Sequence, residues 1–166
     1  MNFVIIRAIC SLLFGVALTA PVFAQIHPKQ IELAATAALR HTSDVTDAQI
    51  NLLAGWHWRP PHCVELRFGF QRQRQANVFD YSLHYLWQWQ PQRRNVPFVQ
   101  IGVGGQSALV GSFGEGKLVF GGGVGIRNFL APRIALRSEY VFHRILGDNF
   151  DYSEHGLLVG IAVFLK

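Results

Sequence analysis

The sequence predicts an all-β protein: an antiparallel transmembrane β-barrel of about eight strands, closed around a polar-filled lumen. Three observations predict it. Apolar and polar residues alternate along one segment after another, each near the ~9–11 residues that cross a bilayer as a tilted strand. Short connectors alternate with longer ones, the rhythm of a membrane barrel with turns on one side and loops on the other. The chain opens with the pattern of an export signal, and nothing after it has the period or length of a membrane helix. The competing fold is a soluble antiparallel sandwich, whose apolar face would turn to a core rather than to lipid.

The export signal is read from Arg7, the apolar run Ala8 to Ala20, and Val22-Phe23-Ala24 before a cut at Ala24/Gln25. Residues 1–24 are thus the expected signal peptide and 25–166 a single barrel domain in the cell outer membrane. Cys63 is the only cysteine outside the signal, so no intrachain disulfide can staple the domain. A closed barrel in lipid supplies stability in another way. The net charge of +5 comes mostly from scattered arginines, with no basic run that would suit nucleic acid. The expected partners are outer-membrane lipids, with no cofactor and a monomeric state.

The strands follow in order. Ile31 to Arg40 sets Ile31, Leu33 and Leu39 against Glu32, Thr36 and Arg40, and polar residues 41–47 make a loop. Ala48 to Trp58 groups Ile50, Leu52, Trp56 and Trp58 opposite Asn51 and His57, and Pro60-Pro61 ends it in a short turn. Cys63 to Arg72 alternates Val64, Leu66, Phe68 and Phe70 with Glu65, Arg67 and Gln71. Phe79 to Trp89 alternates aromatics and Leu83 with Ser82, His84 and Gln88. Val96 to Gln106 sets Val99, Ile101 and Val103 against Gln100 and glycines, and a loop is expected within Gln106–Gly116. Leu118 to Ile126 and Ile134 to His143 form the pair on which the chain is organised, joined by the turn Asn128–Pro132. Gly147 to Glu154 reads as a loop, and Gly156 to Leu165 as the last strand.

A barrel of about eight strands leaves room only for side chains. Glu65, Arg67, Arg127, Arg137 and Glu139, with Glu32 and Gln100, are expected to face inward and neutralise one another, because an unpaired buried charge is costly. Trp56, Trp58, Trp87 and Trp89 flank two short turns, as aromatics do at a membrane interface. Asp148, Asp151 and Glu154 share one loop, a spacing that suits a solvated acidic loop better than a calcium site, and no metal is expected. The glycines near 111–125 have no strand-to-helix context for holding phosphate.

The segments PFVQIGVGG, GGGVGIRNFLAPRIALRSEY and HGLLVGIAVFL resemble the small opacity/porin-like outer-membrane β-barrels of Gram-negative bacteria. The resemblance implies the eight-stranded fold and insertion by the barrel-assembly machinery. That machinery reads an aromatic near the chain's end, where this sequence has Leu165. A narrower likeness is to the lipid A 3-O-deacylase family, whose His-x-Ser-Asn motif would fall on His143, Ile145 and Leu146, with Glu154 as the acid. The nucleophilic hydroxyl is missing, so the base has nothing to activate. The resulting expectation is a non-enzymatic barrel with a structural, adhesion or surface-binding role. The alternative is an acyl hydrolase using His143 and Glu154.

Overall fold

The computed structural model describes residues 26–42, 46–72, 77–110, 113–147 and 151–166. The expected signal peptide and Asp148 lie outside the described residues. Eight antiparallel strands run β1 (Gln30–His41), β2 (Thr46–Arg59), β3 (His62–Arg72), β4 (Asn77–Gln88), β5 (Asn95–Val110), β6 (Phe113–Ala131), β7 (Ile134–Leu146) and β8 (Tyr152–Leu165). Each pairs with its sequence neighbour, and β8 closes on β1, with Ile31 opposite Leu165 and His41 opposite His155. Closure leaves no unpaired edge, which is what lets strands stand in hydrocarbon.

The strict two-residue period decides which way the wall faces. In β1 burial alternates at every position, with Glu32, Thr36 and Arg40 inside and Ile31, Leu33 and Leu39 outside. Large apolar side chains cover the outside of all eight strands, among them Ile50, Phe68, Tyr81, Ile101, Phe120, Tyr140 and Leu157. A soluble protein does not expose so continuous an apolar band. The wall is inverted relative to a sandwich and spans a membrane.

Three expectations fail here. The stretch Gln106–Gly116 is mostly strand, since β5 runs to Val110 and β6 starts at Phe113. Cross-strand pairing over Gln106–Lys117 through Val110–Phe113 overrides the loop propensity of its glycines and serines. The connectors on that rim are 42–45, 73–76, 111–112 and 147–151, against 60–61, 89–94 and 132–133 on the other. The short/long rhythm is therefore absent, although the fold it pointed to is present. Glu154 was expected in a loop but lies in β8, because the alternation of Glu154, Gly156 and Leu158 inward continues the strand toward its start.

The rim that carries both chain ends is sealed by apolar side chains. Ile26 crosses beneath the barrel, its N–H donating to the Pro91 carbonyl at 3.2 Å. It packs in one buried cluster with Val96, Phe129 and Phe164. Lys29 precedes β1 in a left-handed conformation, φ 64°.

Candidate functional site

The polar lumen holds the candidate chemistry, and it forms two tiers. In the lower tier, nearer the chain ends, residues two apart in a strand share the inner face. Glu65 and Arg67 come from β3, and Arg137 and Glu139 from β7. Arg137 joins all three carboxylates of the tier. Its Nη1 donates to Glu32 at 2.9 Å and to Glu65 at 2.5 Å, its Nη2 donates to Glu65 at 3.0 Å, and its Nε donates to Glu139. Arg127 forks onto Glu32 through Nε at 2.9 Å and Nη2 at 2.7 Å, the bidentate geometry that makes guanidinium–carboxylate pairs strong. Arg67 binds Glu65 at 2.5 Å and Glu139 at 2.8 Å, and Gln100 adds a bond to Glu139 at 2.8 Å. The Phe98 ring lies 4.4 Å from the Arg127 guanidinium and 5.1 Å from that of Arg137. Three arginines balance three glutamates, so this tier is neutral, and all six side chains are buried.

The upper tier is less evenly matched. Arg40 pairs with Asp80 at 3.0 Å and with Glu154 at 2.7 Å, one cation against two carboxylates. Gln49 and Gln106 donate to Asp80 at 2.6 and 3.0 Å, and the Tyr152 hydroxyl donates to Gln106 at 2.8 Å. Below them a row crosses four strands in register: His84, Gly102, Gly121, His143. A Cβ on Gly102 would stand 2.4 Å from the His84 ring, and one on Gly121 2.2 Å from the His143 ring. The glycines are the recess into which the two imidazoles fold. The Nδ1 atoms of both histidines find no hydrogen-bond partner among the described residues. The cavity beside them is about 20 Å³, room for about one water.

His143 and Glu154 are register partners, yet no hydrogen bond joins them, and Glu154 is committed to Arg40. Ser138, beside the charge-bearing residues of β7, faces outward. Ser82 does meet a base, His84 Nε2, at 2.8 Å. No acid orients that imidazole, and a cavity of this size admits no acyl chain. The buried donors Glu32, His57 and Cys63 also cluster, within 4.8 Å of one another. Glu32 already carries Arg127 and Arg137, while His57 spans Glu32 at 3.1 Å and Gln88 at 3.0 Å. That donor set is spent on ion pairs and does not fit a metal ion.

The structure brings Glu65, Arg67, Arg127, Arg137 and Glu139 into one network with Glu32, which Arg127 and Arg137 bond directly and the others reach through Arg137. The four tryptophans lie on the outer wall at the rim of the chain ends, with Trp56 and Trp89 exposed and Trp58 and Trp87 half-buried. Trp58 stacks on His62, which bonds the Tyr85 hydroxyl at 2.7 Å. Sequence reasoning missed Asp80 and its link through Arg40 to Glu154. The signal was there, since Asp80 shares the parity of Ser82 and His84.

No protein-family model matches this chain, and no curated protein matches it in sequence. Solved structures do share its fold. It is similar to Neisserial surface protein A, with a TM-score of 0.66 and 14% identity over 81% of this chain and 95% of that one. The N-terminal β-barrel domain of Pseudomonas aeruginosa OprF superposes with a TM-score of 0.61 and 13% identity, covering 82% and 99%. The outer-membrane enzyme PagL gives a TM-score of 0.52 at 8% identity, covering 80% and 98%. Such likeness, far below the level that carries activity, speaks for architecture. The chain is an eight-stranded β-barrel of the outer-membrane type.

Proposed function

We propose that this protein is a non-enzymatic structural barrel of the bacterial outer membrane, acting through its outer wall and rims rather than through its lumen. The observation that carries this reading is the sealed interior. The neutral Arg–Glu tier fills the middle, and Ile26, Phe129 and Phe164 close the end below it. A solute would have to separate ion pairs that no water replaces.

The rival is acyl hydrolysis, favoured by the Ser82–His84 contact and by His143 beside Glu154. Mass spectrometry of lipid A from cells producing the protein separates the two. The expected result is an unchanged acyl complement, together with no stable conductance in planar bilayers. Loss of an acyl chain that His143→Ala or Ser82→Ala abolishes would overturn the proposal.

A further inference from the structure

The outer wall carries a feature that the lumen does not explain. An open apolar groove of about 550 Å³ crosses β8, β1, β2 and β3. That is within the range of about 300–1,000 Å³ in which ligand pockets fall. Its floor is Ala35 and Ala54, and Leu52, Phe68, Ile161 and Val163 stand around it. These residues share consecutive register rows, Ala35 with Leu52 and Ile161, and Ala54 with Leu33. The next outward row toward the chain ends is Ile31, Trp56 and Leu165. One step further lie Lys29, whose N–H donates to the His57 carbonyl at 2.6 Å, and Arg59 at the end of β2. Both are exposed.

The charge at this rim has one sign. Lys29, Arg59, Arg93, Arg94, Arg133 and Lys166 belong to it, and no Asp or Glu side chain does among its described residues, 26–30, 59–62, 89–95, 131–134 and 165–166. The opposite rim is mixed, with Arg72 and Arg144 alongside Asp47 and Asp151. From Ala35 in the groove to Lys29 the chain runs about 20 Å at ~3.3 Å per residue, which at the ~35–45° tilt of a barrel strand is about 15 Å of depth, that of one leaflet's hydrocarbon. Apolar groove, interfacial tryptophan and paired cations thus follow one another at the spacing of acyl chain, glycerol and phosphate.

We propose that this strip is a binding site for one anionic glycerophospholipid of the leaflet at the chain-end rim. Its acyl chain lies in the Ala35–Ala54 groove and its phosphate and anionic headgroup lie against Lys29 and Arg59. Trp56, more than half exposed in the row between, sits at the glycerol level, where its amphipathic ring is suited to stay. The site rests on the membrane-barrel reading, and it names the lipid class that reading leaves open.

The test is native mass spectrometry of the full chain, folded in phosphatidylcholine vesicles, extracted in mild detergent and offered an equimolar mixture of phosphatidylglycerol and phosphatidylcholine. Each basic residue near an anionic headgroup favours it about fivefold. Phosphatidylglycerol should therefore be retained at least tenfold over phosphatidylcholine. Lys29→Gly with Arg59→Gln should erase that preference. Glycine suits the left-handed backbone at Lys29, so the change removes a charge without strain. Ala54→Phe or Ala35→Leu, which fill the groove from its lipid-facing side, should reduce retention of both lipids. Arg72→Gln with Arg144→Gln at the other rim should leave the preference intact. Equal retention of the two lipids, or groove variants that bind like the parent, would overturn the site. A chain that shows no heat-modifiable folded form in phosphatidylcholine vesicles would instead sink the membrane reading beneath it.

Discussion

Arg137→Met isolates the contribution of the lower tier. The substitution keeps an apolar stem of similar length against Phe98 and removes a guanidinium that makes four hydrogen bonds to Glu32, Glu65 and Glu139. The balance of three arginines and three glutamates becomes two against three. Arg127 still holds Glu32, and Arg67 still bridges Glu65 and Glu139, so no carboxylate loses every partner. One negative charge is nonetheless left uncompensated at full burial. Breaking a buried pair from one side costs about 3–5 kcal/mol. With a denaturation slope of about 2 kcal/mol per molar urea, a 4 kcal/mol loss lowers the midpoint by about 2 M. Equilibrium unfolding from lipid vesicles, followed by the fluorescence of the rim tryptophans, measures it. Adding Glu65→Gln restores neutrality, two against two, with each remaining arginine still facing a carboxylate. The double variant should recover about half of the loss. If it instead loses as much as the two single variants summed, the penalty is one of packing and the charge-balance reasoning is wrong.

Three other outcomes follow from the lumen. In the upper tier one cation serves two carboxylates, so Arg40→Met should destabilise by about 3 kcal/mol or more, while Glu154→Gln, which leaves Arg40 with Asp80, should cost about 1 kcal/mol; the same urea titration reads both, and a larger loss for Glu154→Gln would contradict the pairing. Gly102→Ala forces a methyl into the His84 ring and should cost about 1–3 kcal/mol, a loss that His84→Ala in the same chain relieves; additive losses would show that the ring does not occupy that recess. Cys63 is fully buried, so a maleimide should label it only after unfolding, and fast labelling of the folded barrel would show a lumen open to solutes.

The faces of the strands were legible because a two-residue period admits only two answers, and a lumen full of Arg and Glu admits one. Arg137 and Glu139 against Leu136 and Tyr140 need no alignment to be sorted. Their partners could not be read, since Glu32 meets Arg127 95 residues away only after β8 has closed on β1. Strand ends were misjudged for a related reason. Ser107, Gly114 and Gly116 look like a loop when weighed alone, and Glu154 close to Asp151 does too, but the adjacent strand supplies backbone partners that local composition does not reveal. The His84–Gly102–Gly121–His143 row was half visible. The glycines stand in the sequence at the inward parity, and the imidazoles that fill the room beside them depend on register.

The lower tier also bears on how the barrel is put together. Its side chains come from β1, β3, β5, β6 and β7, so the network is complete only when sequentially distant strands stand in their final register. A slip of one residue in β7 turns Arg137 and Glu139 outward and strips Glu32 and Glu65 of the four-bonded guanidinium that joins them. An arginine at the lipid midplane costs about 2–4 kcal/mol, and a glutamate turned out beside it adds to that. An apolar wall tolerates misregister cheaply, since one leucine against lipid is much like another. The ion pairs therefore act as proofreading: they make the correct closure distinguishable from its near misses at the moment β8 finds β1.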